Sequence, residues 1–164
     1  MKNLKFSVIF ALVAMALTTS CTKDQTVFNV NDIPYSAKIV GNVTCDMGEL
    51  RSGNNIDEVR HLNLFIKIAN SEFSSNLTGT SVFTTTTNEN GYFEISVPCT
   101  MDGVDATITA DDFYGAYWTV KNNNESYTNV VYSLKNAMSV KDIVPNSINI
   151  CNISDFSNTP APKK

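Results

Sequence analysis

Few residues in this chain could do chemistry, and their spacing narrows the choice. His61 is the one histidine among 164 residues. A metal-binding histidine pair is therefore excluded, and a Ser-His-Asp arrangement would have to run through His61 alone. That residue stands beside Arg60 at the start of an alternating apolar segment, which predicts a partly exposed structural side chain. Asp102 with Asp105, and Asp111 with Asp112, place carboxylates in turns without the dense ligand spacing of a calcium loop. They read as solvated turn groups. The glycines are scattered and build no phosphate-cradling loop. The expectation is a non-enzyme without metal or cofactor.

The most suggestive cluster is Phe113-Tyr114-Gly115-Ala116-Tyr117-Trp118. Aromatic faces stack on sugar rings, and the neighbouring Asp111 and Asp112 could accept hydrogen bonds from hydroxyl groups. Phe113, Tyr114, Tyr117, Trp118, Asp111 and Asp112 are thus candidate ligand-binding residues. The competing expectation is that Phe113, Tyr117 and Trp118 are core or loop-anchoring side chains, since a small sandwich needs large apolar groups. Twelve basic residues against sixteen acidic ones, a net charge of −4, lack the basic footprint of a nucleic-acid protein.

Four cysteines are present, at positions 21, 45, 99 and 151. Cys21 is set apart by what precedes it. Met1–Lys5 carries two lysines, and Phe6–Leu17 is an apolar run broken only by Ser7. Those twelve residues fall short of the roughly 20 that a membrane-crossing helix needs. A basic start, a short apolar stretch and small residues after it form a secretory signal. The segment Leu17-Thr18-Thr19-Ser20-Cys21 resembles a bacterial lipoprotein box, with Thr18 where that family usually has leucine. The resemblance implies lipid on the sulfur and amine of Cys21 and a place in the outer membrane, facing outward or into the periplasm. Ordinary secretion with cleavage after Ala14-Met15-Ala16 is the rival expectation. Thr22-Lys23-Asp24-Gln25 resembles a short Lys-acidic surface-export signal, although one acid stands where two are usual; a solvated tether reads equally well.

Loss of residues 1–20 leaves 144, and two lysines go with them, taking the net charge from −4 to −6. Three thiols remain. A Cys45–Cys99 bridge is permitted in an exported chain and would stabilise it by roughly 4 kcal/mol through loop closure. Three buried, reduced thiols are the other arrangement.

The elements that must position these residues are strands. In Arg60–Asn70, Leu62, Leu64, Ile66 and Ile68 alternate with other side chains, the pattern of a strand with one buried face. Ala37–Cys45 alternates through Ile39, Gly41, Val43 and Cys45, and Thr80–Thr87 suits a half-exposed pleated surface. Asn88-Glu89-Asn90-Gly91 reads as a tight turn, after which Tyr92–Pro98 points Phe93, Ile95 and Val97 inward. Further strands are expected over Val104–Ala110, Ala116–Lys121 and Ser126–Leu134, with Ser147–Ile153 closing the fold. No window of helical length has a convincing 3.6 period; Leu134–Val144 comes nearest. Asp46–Val59 and Asn70–Gly79 read as long polar loops.

The order of these segments resembles the carboxypeptidase regulatory-like domain, a transthyretin-like sandwich. The resemblance rests on Ile39-Val40-Gly41-Asn42-Val43, on Thr84–Thr87 followed by Asn88-Glu89-Asn90-Gly91-Tyr92-Phe93, on Glu94-Ile95-Ser96-Val97-Pro98, and on Tyr114-Gly115. It covers roughly residues 37–120 and says little about function, since such domains serve as spacers, chaperoning modules or binding platforms.

The expected architecture is a single all-β domain, an antiparallel sandwich of about seven strands. Residues 1–20 are the signal, 21–35 a linker, 36–154 the sandwich and 155–164 a disordered tail. The expected function is a non-catalytic, lipid-anchored binding or accessory component of a cell-envelope assembly, with a glycan or protein partner. The alternative is an adhesin or pilus-like subunit that pairs through edge strands.

Overall fold

In the computed structural model, residues 28–162 are described. The expected signal, Cys21 and the first part of the linker lie outside the described residues. The rest is a β-sandwich with twelve strands and two short 3-10 turns, Val30–Asp32 and Asn70–Glu72. The strands are β1 (Tyr35–Asn42), β2 (Thr44–Leu50), β3 (Gly53–Glu58), β4 (Asn63–Ala69), β5 (Thr80–Thr86) and β6 (Tyr92–Cys99). They continue as β7 (Val104–Ala110), β8 (Phe113–Lys121), β9 (Asn124–Leu134), β10 (Met138–Ile143), β11 (Ile148–Ile150) and β12 (Phe156–Pro160).

Three sheets form, in the orders β11-β1-β6, β10-β7-β4-β5 and β12-β9-β8-β2-β3. Period two decides which side chains meet between them. Ala37 and Ile39 from β1, Val43 between the strands and Cys45 from β2 join Leu64, Ile66 and Ile68 from β4, Phe93 and Val97 from β6, and Ala106 and Ile108 from β7 in one buried core. Val130 and Tyr132 of β9 add the third sheet to it. The alternations expected for Leu62–Ile68 and Ala37–Cys45 therefore point inward.

Gly41 has a structural reason to be glycine. A Cβ there would stand 1.9 Å from the carbonyl oxygen of Cys151, because β11 and the residues after it run parallel to β1. Gly91 takes φ 67, as the expected turn into β6 requires.

Several expectations change. There are twelve strands where about seven were expected, because polar segments pair as well as apolar ones. Asp46–Val59 is not a loop but most of a hairpin, β2 against β3. Its tip is strapped to the β8–β9 turn: Arg51 donates from its backbone N–H to Glu125 Oε1 at 2.7 Å and from its guanidinium to the Asn123 carbonyl. The segment 155–164, expected to be disordered, contains β12, which pairs antiparallel with β9 from Phe156↔Leu134 to Pro160↔Val130. Phe156 supplies the anchor, edge-on to Phe113 at 5.4 Å. Nor is the sandwich wholly antiparallel, since β1 pairs β11 in parallel and β2 meets β8 in parallel at Gly48↔Trp118. Near Leu134–Val144 the chain forms β10.

Candidate functional site

The aromatic cluster lies on β8, and the pleat divides it. Phe113 and Tyr117 point inward against the core. Phe113 stacks on buried Tyr132 with ring centroids 5.0 Å apart. Burial pushes the Tyr132 phenol up to about 12, and its hydroxyl donates to the Ala116 carbonyl at 3.1 Å. The Phe113 and Tyr117 rings both pack against buried side chains.

Tyr114 and Trp118 point the other way. Tyr114 is 75% exposed. Trp118 packs on Tyr127 of β9, its direct cross-strand partner, at 5.1 Å between centroids, and Tyr127 is itself 59% exposed. Between the two aromatic positions the outward row holds Ala116 opposite Asn129. On β8 and β9 every outward side chain from Tyr114 to Trp118 and its partners is uncharged. An open groove of about 860 Å³ lies here, lined by Tyr114, Ala116, Thr128, Asn129 and the segment Pro160–Pro162. Tyr127, Thr128 and Asn129 were not among the expected site residues. Their role depends on the register of β9 against β8, which one strand's pattern does not reveal.

The two aspartates stand just before β8. Asp111 Oδ2 accepts from the Asn63 amide at 3.0 Å, and its backbone N–H donates to the Asn63 carbonyl, tying it to the start of β4. Asp112 is exposed in the turn before β8.

The lone histidine takes φ 54 at the corner between β3 and β4, where exposed His61 Nε2 pairs with Glu89 Oε1 at 2.8 Å. Asp105 is paired with Lys141 and accepts from the Asp142 backbone N–H, which holds its carboxyl below the usual range. Among the described residues, no group of three or more His, Cys, Asp or Glu side chains converges as a metal site would. No helix among them is long and apolar enough to cross a membrane.

Cys45, Cys99 and Cys151 are all free and buried. The Cys45–Cys99 bridge is not formed, and the register explains why. Cys99 pairs with Tyr35 at the start of β1, whereas Cys45 lies beyond its far end. At about 3.3 Å per residue, β1 alone separates them by roughly 23 Å, while a disulfide needs Cα atoms within about 7 Å. Burial pushes the Cys45 thiol up to about 12 and raises the other two as well.

No family model matches the chain, and no curated protein matches it by sequence. Among solved structures it is similar to the shaft pilin SpaA from Lactobacillus rhamnosus GG, at 11% identity and a TM-score of 0.46. That match covers 77% of this chain and 51% of the pilin, so the chain spans about half the pilin's length. A proposed carbohydrate-binding protein from Pseudomonas aeruginosa is similar at 12% identity and a TM-score of 0.37, over 73% of this chain and 88% of that one. The major plantain pollen allergen Pla l 1 follows at 13% identity and a TM-score of 0.36, over 79% and 99%. All three are distant likenesses of strand architecture.

Proposed function

We propose that the chain is a non-catalytic β-sandwich module of the cell envelope, anchored by lipid on Cys21, that holds a neutral glycan on the outer face of β8 and β9. The observation that carries this reading is the outward row of Tyr114, Trp118 and Tyr127, with Ala116 and Asn129 between them. Aromatic rings offer flat apolar faces to the C–H faces of a sugar, and an amide both donates to and accepts from hydroxyl groups. Phe113 and Tyr117 hold the strand from beneath, so the platform rests on packed side chains rather than on a loop. A binding or accessory part in a surface assembly follows from such a face on a tethered domain.

Two experiments test the two halves. Affinity electrophoresis of the soluble Cys21→Ala protein through gels containing neutral polysaccharides should retard it, and unchanged mobility in every gel would remove the glycan reading. Detergent-phase partitioning of wild type and Cys21→Ala tests the anchor. Several acyl chains at about 0.8 kcal/mol per buried methylene hold a protein in the detergent phase; wild type left in the aqueous phase would remove the lipid.

A second reading, assembly through an edge strand, is favoured by β11. Ile148 and Ile150 are 67% and 76% exposed there. Ser147 O, Cys151 N and Ile153 N bond to β1 and its extension, so the alternate backbone groups at Ile148 and Ile150 face the open edge. Concentration-dependent oligomers that Ile150→Lys abolishes would support this reading. A monomer at all concentrations would oppose it.

A further inference from the structure

The two aromatic positions on β8 define a ligand by their separation. Tyr114 and Trp118 are four residues apart on one face of one strand. At about 3.3 Å per residue they stand roughly 13 Å apart, more than two pyranose rings of an extended chain. A single sugar on one ring cannot reach the other.

What lies between them suits a chain crossing the gap. Ala116 is the smallest outward side chain of β8 in this stretch, so the floor is low between two raised rings. Asn129 stands directly opposite Ala116 and brings an exposed amide to the middle of the span. Asn129 lines the same groove as Tyr114. At the far end, Trp118 and Tyr127 form a double platform, their planes inclined at 51°. Uncharged side chains occupy the row from Tyr114 to Trp118 and its partners on β9, in a chain with a net charge of −4, which selects against an anionic polymer.

From this geometry we infer that the site takes an extended neutral polysaccharide lying along β8, with one ring on Tyr114, one on Trp118 and Tyr127, and the intervening rings over Ala116 beside Asn129. The inference rests on the glycan reading above and adds to it a direction and a minimum length. The shortest ligand that engages both platforms has about three to four rings. Linear β-1,4-linked chains have the extended, ribbon-like shape that a straight strand can match along its length.

The test is calorimetric titration of the soluble Cys21→Ala protein with cello-, xylo- and chito-oligosaccharides of two to six rings. Affinity for one series should rise at least tenfold between two and five rings. Tyr114→Ala should return the five-ring ligand to the two-ring affinity, and Tyr114→Phe, which keeps the ring, should preserve the rise. Tyr114 is mostly exposed, so neither variant threatens the fold. Equal affinity at every length would overturn the two-platform inference while leaving a glycan site standing. No heat with any member of the three series would overturn the inference, whereas retention in a polysaccharide gel would still decide the glycan reading separately.

Discussion

Replacing Thr87 by valine should be among the most destabilising single changes in this chain, although it alters neither size nor shape. Thr87 is 1% exposed and sits where the end of β5 meets the corner between β3 and β4. Its hydroxyl accepts from the Leu62 N–H at 2.9 Å and donates to the Val59 carbonyl at 2.6 Å. Its backbone exchanges two further bonds, N–H to the Leu62 carbonyl and carbonyl from the His61 N–H, each 3.0 Å. Valine keeps the backbone pair and strands Leu62 N–H and Val59 C=O, both in buried residues. A buried group left without its partner costs about 1–3 kcal/mol, so two give roughly 2–6 kcal/mol. Thr87→Ser keeps the hydroxyl and removes one methyl, a loss of about 1 kcal/mol. Urea unfolding followed by circular dichroism measures both, and for a chain of this size Tm should fall by about 3–4 °C per kcal/mol. Valine must therefore be clearly worse than serine. A valine variant within 0.5 kcal/mol of wild type, or one more stable than serine, would refute the reasoning, where that limit is the approximate size of ordinary surface effects.

Three other outcomes follow from the packing. Gly48→Ala should cost more than about 2 kcal/mol, since Gly48 has φ +97 and a Cβ would lie 2.1 Å from the Trp118 carbonyl oxygen; thermal unfolding measures the loss, and red-shifted Trp118 emission would report β2 parting from β8. The three thiols of the folded Cys21→Ala protein should resist a thiol reagent up to pH 9, because burial keeps Cys45 protonated, and all three should react in denaturant; fewer than three would reveal a bridge. Phe156→Ala should release β12, costing about 1–2 kcal/mol for a half-buried ring, and speed hydrogen exchange at Ser157–Thr159 while leaving β4 and β7 protected.

Much of the inner half of this molecule is written in its alternation. Leu62, Leu64, Ile66 and Ile68 can face one way only if the chain is extended and one face is dry, and Gly91 supplies the turn that follows. The outer half is harder to read. Asp46–Val59 contains polar residues, a bulge between Asp46 and Glu49, and an edge strand, β3, that is wet on both faces. Its stability comes from backbone pairing and from the strap to Glu125 and Asn123, neither of which leaves a periodic trace. β12 holds one large apolar side chain, Phe156, too little to distinguish it from a tail. The candidate site was half legible. Its strand and aromatic residues stood out, but alternation on β8 sends Phe113 and Tyr117 inside, and the partners Tyr127 and Asn129 come from a register set across strands. Asp111 bonds to Asn63, 48 residues away, a partner that local spacing does not reveal.

Trp118 is the single tryptophan of the chain and part of the proposed platform, so its emission reads the site directly. Titrating the soluble protein with a neutral linear polysaccharide should shift that emission to the blue and shield it from acrylamide, with Tyr127→Ala weakening both effects. Emission and quenching unchanged at millimolar sugar for every neutral polysaccharide would contradict a glycan-binding face on β8 and β9.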